Sequence, residues 1–242
     1  MTTCAVCGAS NPDLTTRCKS CGSNLQERAK ALNLFSTVFG LWKYPDYTIR
    51  KVVLAEHRNY TFVLATFEAI FLSFFCLFQI KAGDIYSIQL PKLLDTGLLF
   101  GVALFLPMIY LSSIVSYLLM RASRKGVPLG NFISGVVYGL HPLALGSVIL
   151  LPMEIAVYGP YLLSNNPAPW IINAPPFYMF AFLNLVVAAA ALSFIVRLAK
   201  LIFSKRIIAA VLVGVMLVSS VAATETAKQF LKNETAINAE SK

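Results

Sequence analysis

The sequence predicts an all-α polytopic membrane protein: five transmembrane helices, preceded by a small zinc ribbon and amphipathic interfacial helices. Three observations carry that expectation. Apolar residues make up 57% of the 242 positions and charged residues only 13%, with mean hydropathy of +0.71, which argues against ordinary soluble domains. Five apolar runs, at about 60–80, 93–120, 132–153, 177–198 and 207–223, are each of a length to cross a ~30 Å hydrocarbon core. Four of the five cysteines fall within the first 25 residues. The implied domains are a ribbon (1–25), an amphipathic linker (26–58), a five-helix membrane domain (59–224) and a polar tail (225–242).

The ribbon is read from Cys4-Ala-Val-Cys7-Gly8 and Cys18-Lys-Ser-Cys21-Gly22, a C-x2-C-x10-C-x2-C spacing. Each C-x-x-C turn presents two thiolates to one ion, and the glycine after it lets the backbone fold back toward sulfur. Four sulfurs make a closed, structural Zn2+ site with no open coordination position. So short a segment buries too little to fold unaided, and the metal must supply the folding free energy. A pair of disulfides would need an oxidising compartment.

Two amphipathic pieces follow. Leu32, Phe35, Val38, Phe39 and Trp42 recur at helical spacing, Pro45 breaks the pattern, and Asp46 or Thr48 caps a second helix. In that helix Ile49, Val52 and Val53 face one way, opposite Arg50, Lys51 and Arg58. Both pieces suit a membrane surface with anionic lipid, and both suit packing on the protein's own loops.

The first apolar run carries one charge, Glu68, ~12 Å deep at helical rise. The second contains Gly97, Gly101 and Pro107. The third contains Gly135, Gly139 and Gly146, with His141-Pro142 near its middle. The fourth contains Asn184, and the fifth has Ala210 and Gly214. Small residues at these spacings let helices approach closely in lipid, and the prolines are expected to kink them. Lys and Arg number fifteen on the side of the N-terminus and five on the other, which predicts N-in and C-out. That places the ribbon in a reducing cytosol, as zinc requires. The formal charge of +9 is then a topology signal and not a nucleic-acid footprint. Tyr158, Tyr161 and Trp170 in the external segment read as an interfacial belt. No internal repeat is evident.

Glu68, His141 and Asn184 form the candidate intramembrane polar site. A carboxylate at that depth is expensive unless protonated, paired or wet, with His141 or Asn184 as the natural partner. Its roles are an interhelical hydrogen bond or an ion pathway. Nucleotide-binding, metalloprotease and nucleophile-elbow motifs are missing, and two histidines in the whole chain make a catalytic metal site hard to assemble. No enzyme activity is expected.

The stretch KYPDYTIRKVVLAEHRNY before the first run resembles the proline-plus-basic entry of prokaryotic Yip1-domain proteins, and SGVVYGLHPLALG in the third is similar to their central helix. The Asp-Leu-Tyr-Gly-Pro signature of eukaryotic members is absent. The resemblance implies five spans, a leading zinc ribbon and an adaptor or scaffold in a prokaryotic cytoplasmic membrane, with membrane lipids and proteins as partners and no nucleic acid. The competing expectation is a small transporter or lipid-translocating protein using Glu68 and His141.

Overall fold

The computed structural model describes residues 2–12, 14–25, 31–85, 89–119, 127–202 and Glu225. Four helices among them are long and apolar enough to cross a membrane: Thr61–Gln79, Leu90–Leu119, Leu129–Leu163 and Ala174–Ile202. This is consistent with a membrane protein. The first four expected runs each fall on one of these helices. The fifth, 207–223, lies outside the described residues, as do Arg121, Arg124, Lys125, Lys205 and Arg206 and the tail after Glu225. The chain divides into two compact units. Described residues of the first lie within 2–64, 111–141 and 192–202, and those of the second within 65–110 and 142–191, with Glu225.

The first unit begins with the cysteine-rich segment, where strands β1 (Thr2–Thr3) and β2 (Ser10–Asn11) pair antiparallel. Helix α1 (Leu34–Lys43) follows, capped by the Asn33 side chain accepting from the Ser36 N–H at 3.0 Å. Pro45 then opens α2 (Pro45–Val53) as its first residue, with Tyr44 at the cap. The expected capping by Asp46 or Thr48 is therefore corrected. Proline suits the first turn because its missing N–H would have no helical partner there. Thr48 is instead buried, so close to Gly40 that a Cβ there would lie 2.8 Å from its hydroxyl.

As expected, α2 buries Ile49, Val52 and Val53 and exposes Arg50 and Lys51. In α1 the inward residues are Thr37 and Leu41, while Phe35 and Phe39 stand out at 83% and 67% exposure. Hydrogen bonds tie this linker to the third apolar helix. Asn131 Nδ2 donates to the carbonyls of Val53 and Ala55, both at 2.8 Å, and Tyr138 Oη to that of Asn59 at 2.8 Å. Gly135 and Gly139 make room for Leu198 and Ile195 of the fourth helix.

In the second unit, Gly97 and Gly101 sit against the first apolar helix. A Cβ at Gly97 would fall 2.5 Å from the Phe74 ring, and one at Gly101 3.1 Å from the Ile70 Cα. Ser73 Oγ donates to the Gly97 carbonyl at 2.7 Å, which this close approach permits. Two segments wind as π-helix, Gly101–Phe105 and Gly146–Leu150. Each is followed by Leu-Pro, Leu106-Pro107 and Leu151-Pro152, and each leucine N–H reaches back five residues to its glycine carbonyl. A wider turn beside proline lets backbone groups find partners that regular α-winding would leave unmet. The two segments share the octet pattern G-x4-L-P-M, Gly101–Met108 and Gly146–Met153. The shared octet is a short local pattern within two helices and not a repeat of a whole structural unit.

The third helix also runs ten residues past its expected end, through Glu154 to a 3-10 turn at Gly159–Leu163. There the short helix Ala82–Ile85 packs closely: a Cβ at Gly83 would lie 2.9 Å from the Leu163 carbonyl oxygen. Asp84 accepts from the Ser164 hydroxyl and the Asn165 N–H, tying the two loops together.

Candidate metal centre and intramembrane polar groups

The two C-x-x-C segments fold as matching turns. Cys4 N–H donates to the Ala9 carbonyl at 2.9 Å and Gly8 N–H to that of Cys4 at 2.9 Å. Cys18 N–H donates to Ser23 at 2.8 Å and Gly22 N–H to Cys18 at 2.9 Å. Gly8 and Gly22 have φ of +71° and +74°, the left-handed conformation expected of them. The turns bring all four Sγ atoms within 4.8 Å of one another. Cys7 and Cys18 lie 3.5 Å apart, and Cys4 and Cys21 3.7 Å.

Those separations decide the chemistry the cluster can perform. A tetrahedron of ~2.3 Å metal–sulfur bonds has edges of about 3.8 Å, whereas a disulfide needs ~2.05 Å. The set therefore fits one metal ion. Around it, Asn11 Nδ2 lies 3.5 Å from Cys18 Sγ, and Ser23 Oγ 3.1 Å from both Cys4 and Cys21. These are donors of the kind that hold thiolate charge in place. Ser23 foremost draws the Cys4 thiol below its ordinary value. The Cys21 backbone N–H foremost draws the Cys18 thiol down from 9.0 to about 6. Leu14 is the buried aliphatic side chain among the described residues of this segment, so apolar burial contributes little to its folding.

The three expected intramembrane polar residues do not form one hydrogen-bonded set. Glu68, in the second unit, is fully buried, and neither carboxyl oxygen has a hydrogen-bond partner among the described residues. His141, in the first unit, meets the Tyr138 carbonyl through Nδ1 at 2.7 Å. A carbonyl only accepts, so Nδ1 carries the proton and Nε2 is left as an acceptor, buried and without a hydrogen-bond partner among the described residues. The Trp42 and Phe194 rings flank the imidazole at 5.7 and 4.9 Å. Asn184 instead donates through Nδ2 to Glu154 Oε1 at 2.6 Å.

Sequence reasoning reads Glu154 as an ordinary charge near a span end, at the start of the external segment, and does not pair it with Asn184. The available signal was its position just after the second G-x4-L-P-M octet. A π-turn inserts one residue, which rotates everything beyond it by ~100° about the helix axis. That displacement helps bring Glu154 onto Asn184. Beyond the helix ends, Lys81 holds its ammonium 4.0 Å from the Phe78 ring centroid and 5.5 Å from that of Trp170. Burial lowers its pKa, and nearby Asp84 opposes the shift. No family model, curated protein or solved structure matches this chain.

Proposed function

We propose that this protein is a non-enzymatic membrane adaptor of the Yip1-like type, docking a cytosolic partner through an N-terminal zinc ribbon. The observation that carries the reading is the four-thiol cluster of Cys4, Cys7, Cys18 and Cys21, all within 4.8 Å and with spacings suited to Zn2+. A closed four-sulfur site offers no open position for chemistry, so its role is to fold and present a surface. Exposed Phe35 and Phe39 of α1 supply an apolar face for the membrane interface next to that surface in the chain. The fifteen-to-five distribution of Lys and Arg supports a cytosolic N-terminus, and 207–223 supplies a fifth span. The setting is a prokaryotic cytoplasmic membrane.

The test is Cys18→Ser in the full chain. Bound zinc, measured by elemental mass spectrometry, falls from one equivalent toward zero, and partners recovered from native membranes are lost while the protein stays inserted. Partner recovery undiminished after confirmed zinc loss would sink the docking role.

A second reading, a small transporter or lipid translocator using Glu68 and His141, draws on the unpartnered Glu68 carboxyl group. A purely structural glutamate is expected to hold a hydrogen bond at that depth. The transporter reading predicts pH-dependent flux in liposomes that Glu68→Gln abolishes in a folded protein. Absence of flux across a broad panel of ions and lipids would count decisively against it.

A further inference from the structure

A cavity of about 410 Å3 opens within the second unit, at the C-terminal halves of the first and third apolar helices and the N-terminal half of the fourth. Its volume is that of a small-molecule site, within the ~300–1,000 Å3 such pockets span. Phenylalanine and leucine share most of the wall in equal number, with Phe71, Phe74, Phe75, Phe177 and Phe180 among the aromatic contributors. The polar lining residues are Glu154, Asn184 and Tyr158. The Tyr158 hydroxyl is committed to the Asn173 carbonyl at 2.9 Å.

What remains is a pole rich in acceptors. Asn184 Nδ2 gives one of its two hydrogens to Glu154 Oε1 at 2.6 Å, while Asn184 Oδ1 is buried with no hydrogen-bond partner among the described residues. A carboxylate and an amide oxygen accept and do not donate. The surrounding ring faces carry negative quadrupole potential and favour cations in the same way. Lys81 gives an internal precedent, its ammonium resting over Phe78 of this wall. A lipid tail would leave the acceptors unmet, and an anion would be repelled by Glu154 and the rings alike.

We propose that this cavity binds a lipophilic organic cation, an amine or onium ion whose charge lies against Glu154 and Asn184 and whose apolar body packs on the phenylalanines. The assignment concerns the membrane helices alone and does not depend on the adaptor reading. Equilibrium dialysis of the detergent-purified full chain against tetraphenylphosphonium tests it, with tetraphenylborate as the probe of like shape and opposite charge. The phosphonium is expected to bind saturably and the borate not. Glu154→Gln is expected to weaken phosphonium binding by at least about tenfold. Ala181→Trp, which adds bulk to the cavity from its wall, is expected to remove binding. Equal binding of both ions would show an apolar groove for lipid tails only and overturn the proposal. So would phosphonium affinity unchanged in both variants, each checked for folding by its thermal midpoint.

Discussion

Glu68 and the four ribbon cysteines pose opposite physical problems. The thiols are held together by short turns and surrounded by donors, so their charge is compensated as soon as a metal arrives. Glu68 has no exposure and, among the described residues, no hydrogen-bond partner for either oxygen. An unsatisfied buried polar group costs about 1–3 kcal/mol, and such a cost usually persists where function needs the group. The transporter test therefore has a stability arm: Glu68→Gln keeps or raises the thermal midpoint in detergent while flux is lost. A marked fall in the midpoint would return Glu68 to a structural role. Cys4, Cys7, Cys18 and Cys21 were legible as ligands because their geometry is set within a few residues. The Glu154–Asn184 pair was not, because its two residues, 30 apart in sequence, meet only through the rotation of the helices that carry them.

Gly97 and Gly101 show how an element is placed. They lie one helical turn apart and meet Phe74 and Ile70, themselves one turn apart on the first apolar helix. A methyl group at Gly97 meets a ring and cannot be absorbed without moving it. Gly97→Ala is expected to destabilise the protein by about 1–3 kcal/mol, read as a lowered thermal midpoint in detergent. Phe74→Leu in the same chain should recover part of that loss, and additive effects in the double variant would disprove the contact. Close approach at these glycines was expected from spacing alone. The π-turns were not, since proline in an apolar run signals a disturbed helix without saying whether it bends or widens. Both octets, Gly101–Met108 and Gly146–Met153, resolve the disturbance by widening.

At the scale of the whole molecule, the fourth apolar helix is the most telling. Only 22% of its most apolar window is buried inside the protein, and Leu185 is 66% exposed while Leu198 is fully buried. Apolar surface of that extent is unfavourable in water and neutral in lipid. With Trp42 and Trp170 replaced by phenylalanine, Leu185→Trp should be quenched by brominated acyl chains in vesicles and Leu198→Trp should not. Equal quenching at both sites would refute this assignment of faces. Hydropathy and cysteine spacing by themselves determined that the chain has helices long and apolar enough to cross a membrane and a four-thiol cluster that could hold a metal ion, because both follow from local composition and a few bonds of backbone. Tertiary structure alone decided that α1 turns Phe35 and Phe39 outward, that Asn131 and Tyr138 hold the linker, and that Glu154 rather than Glu68 meets Asn184. Those outcomes depend on helix rotation, which one inserted residue shifts by ~100°, and a one-dimensional pattern does not record it.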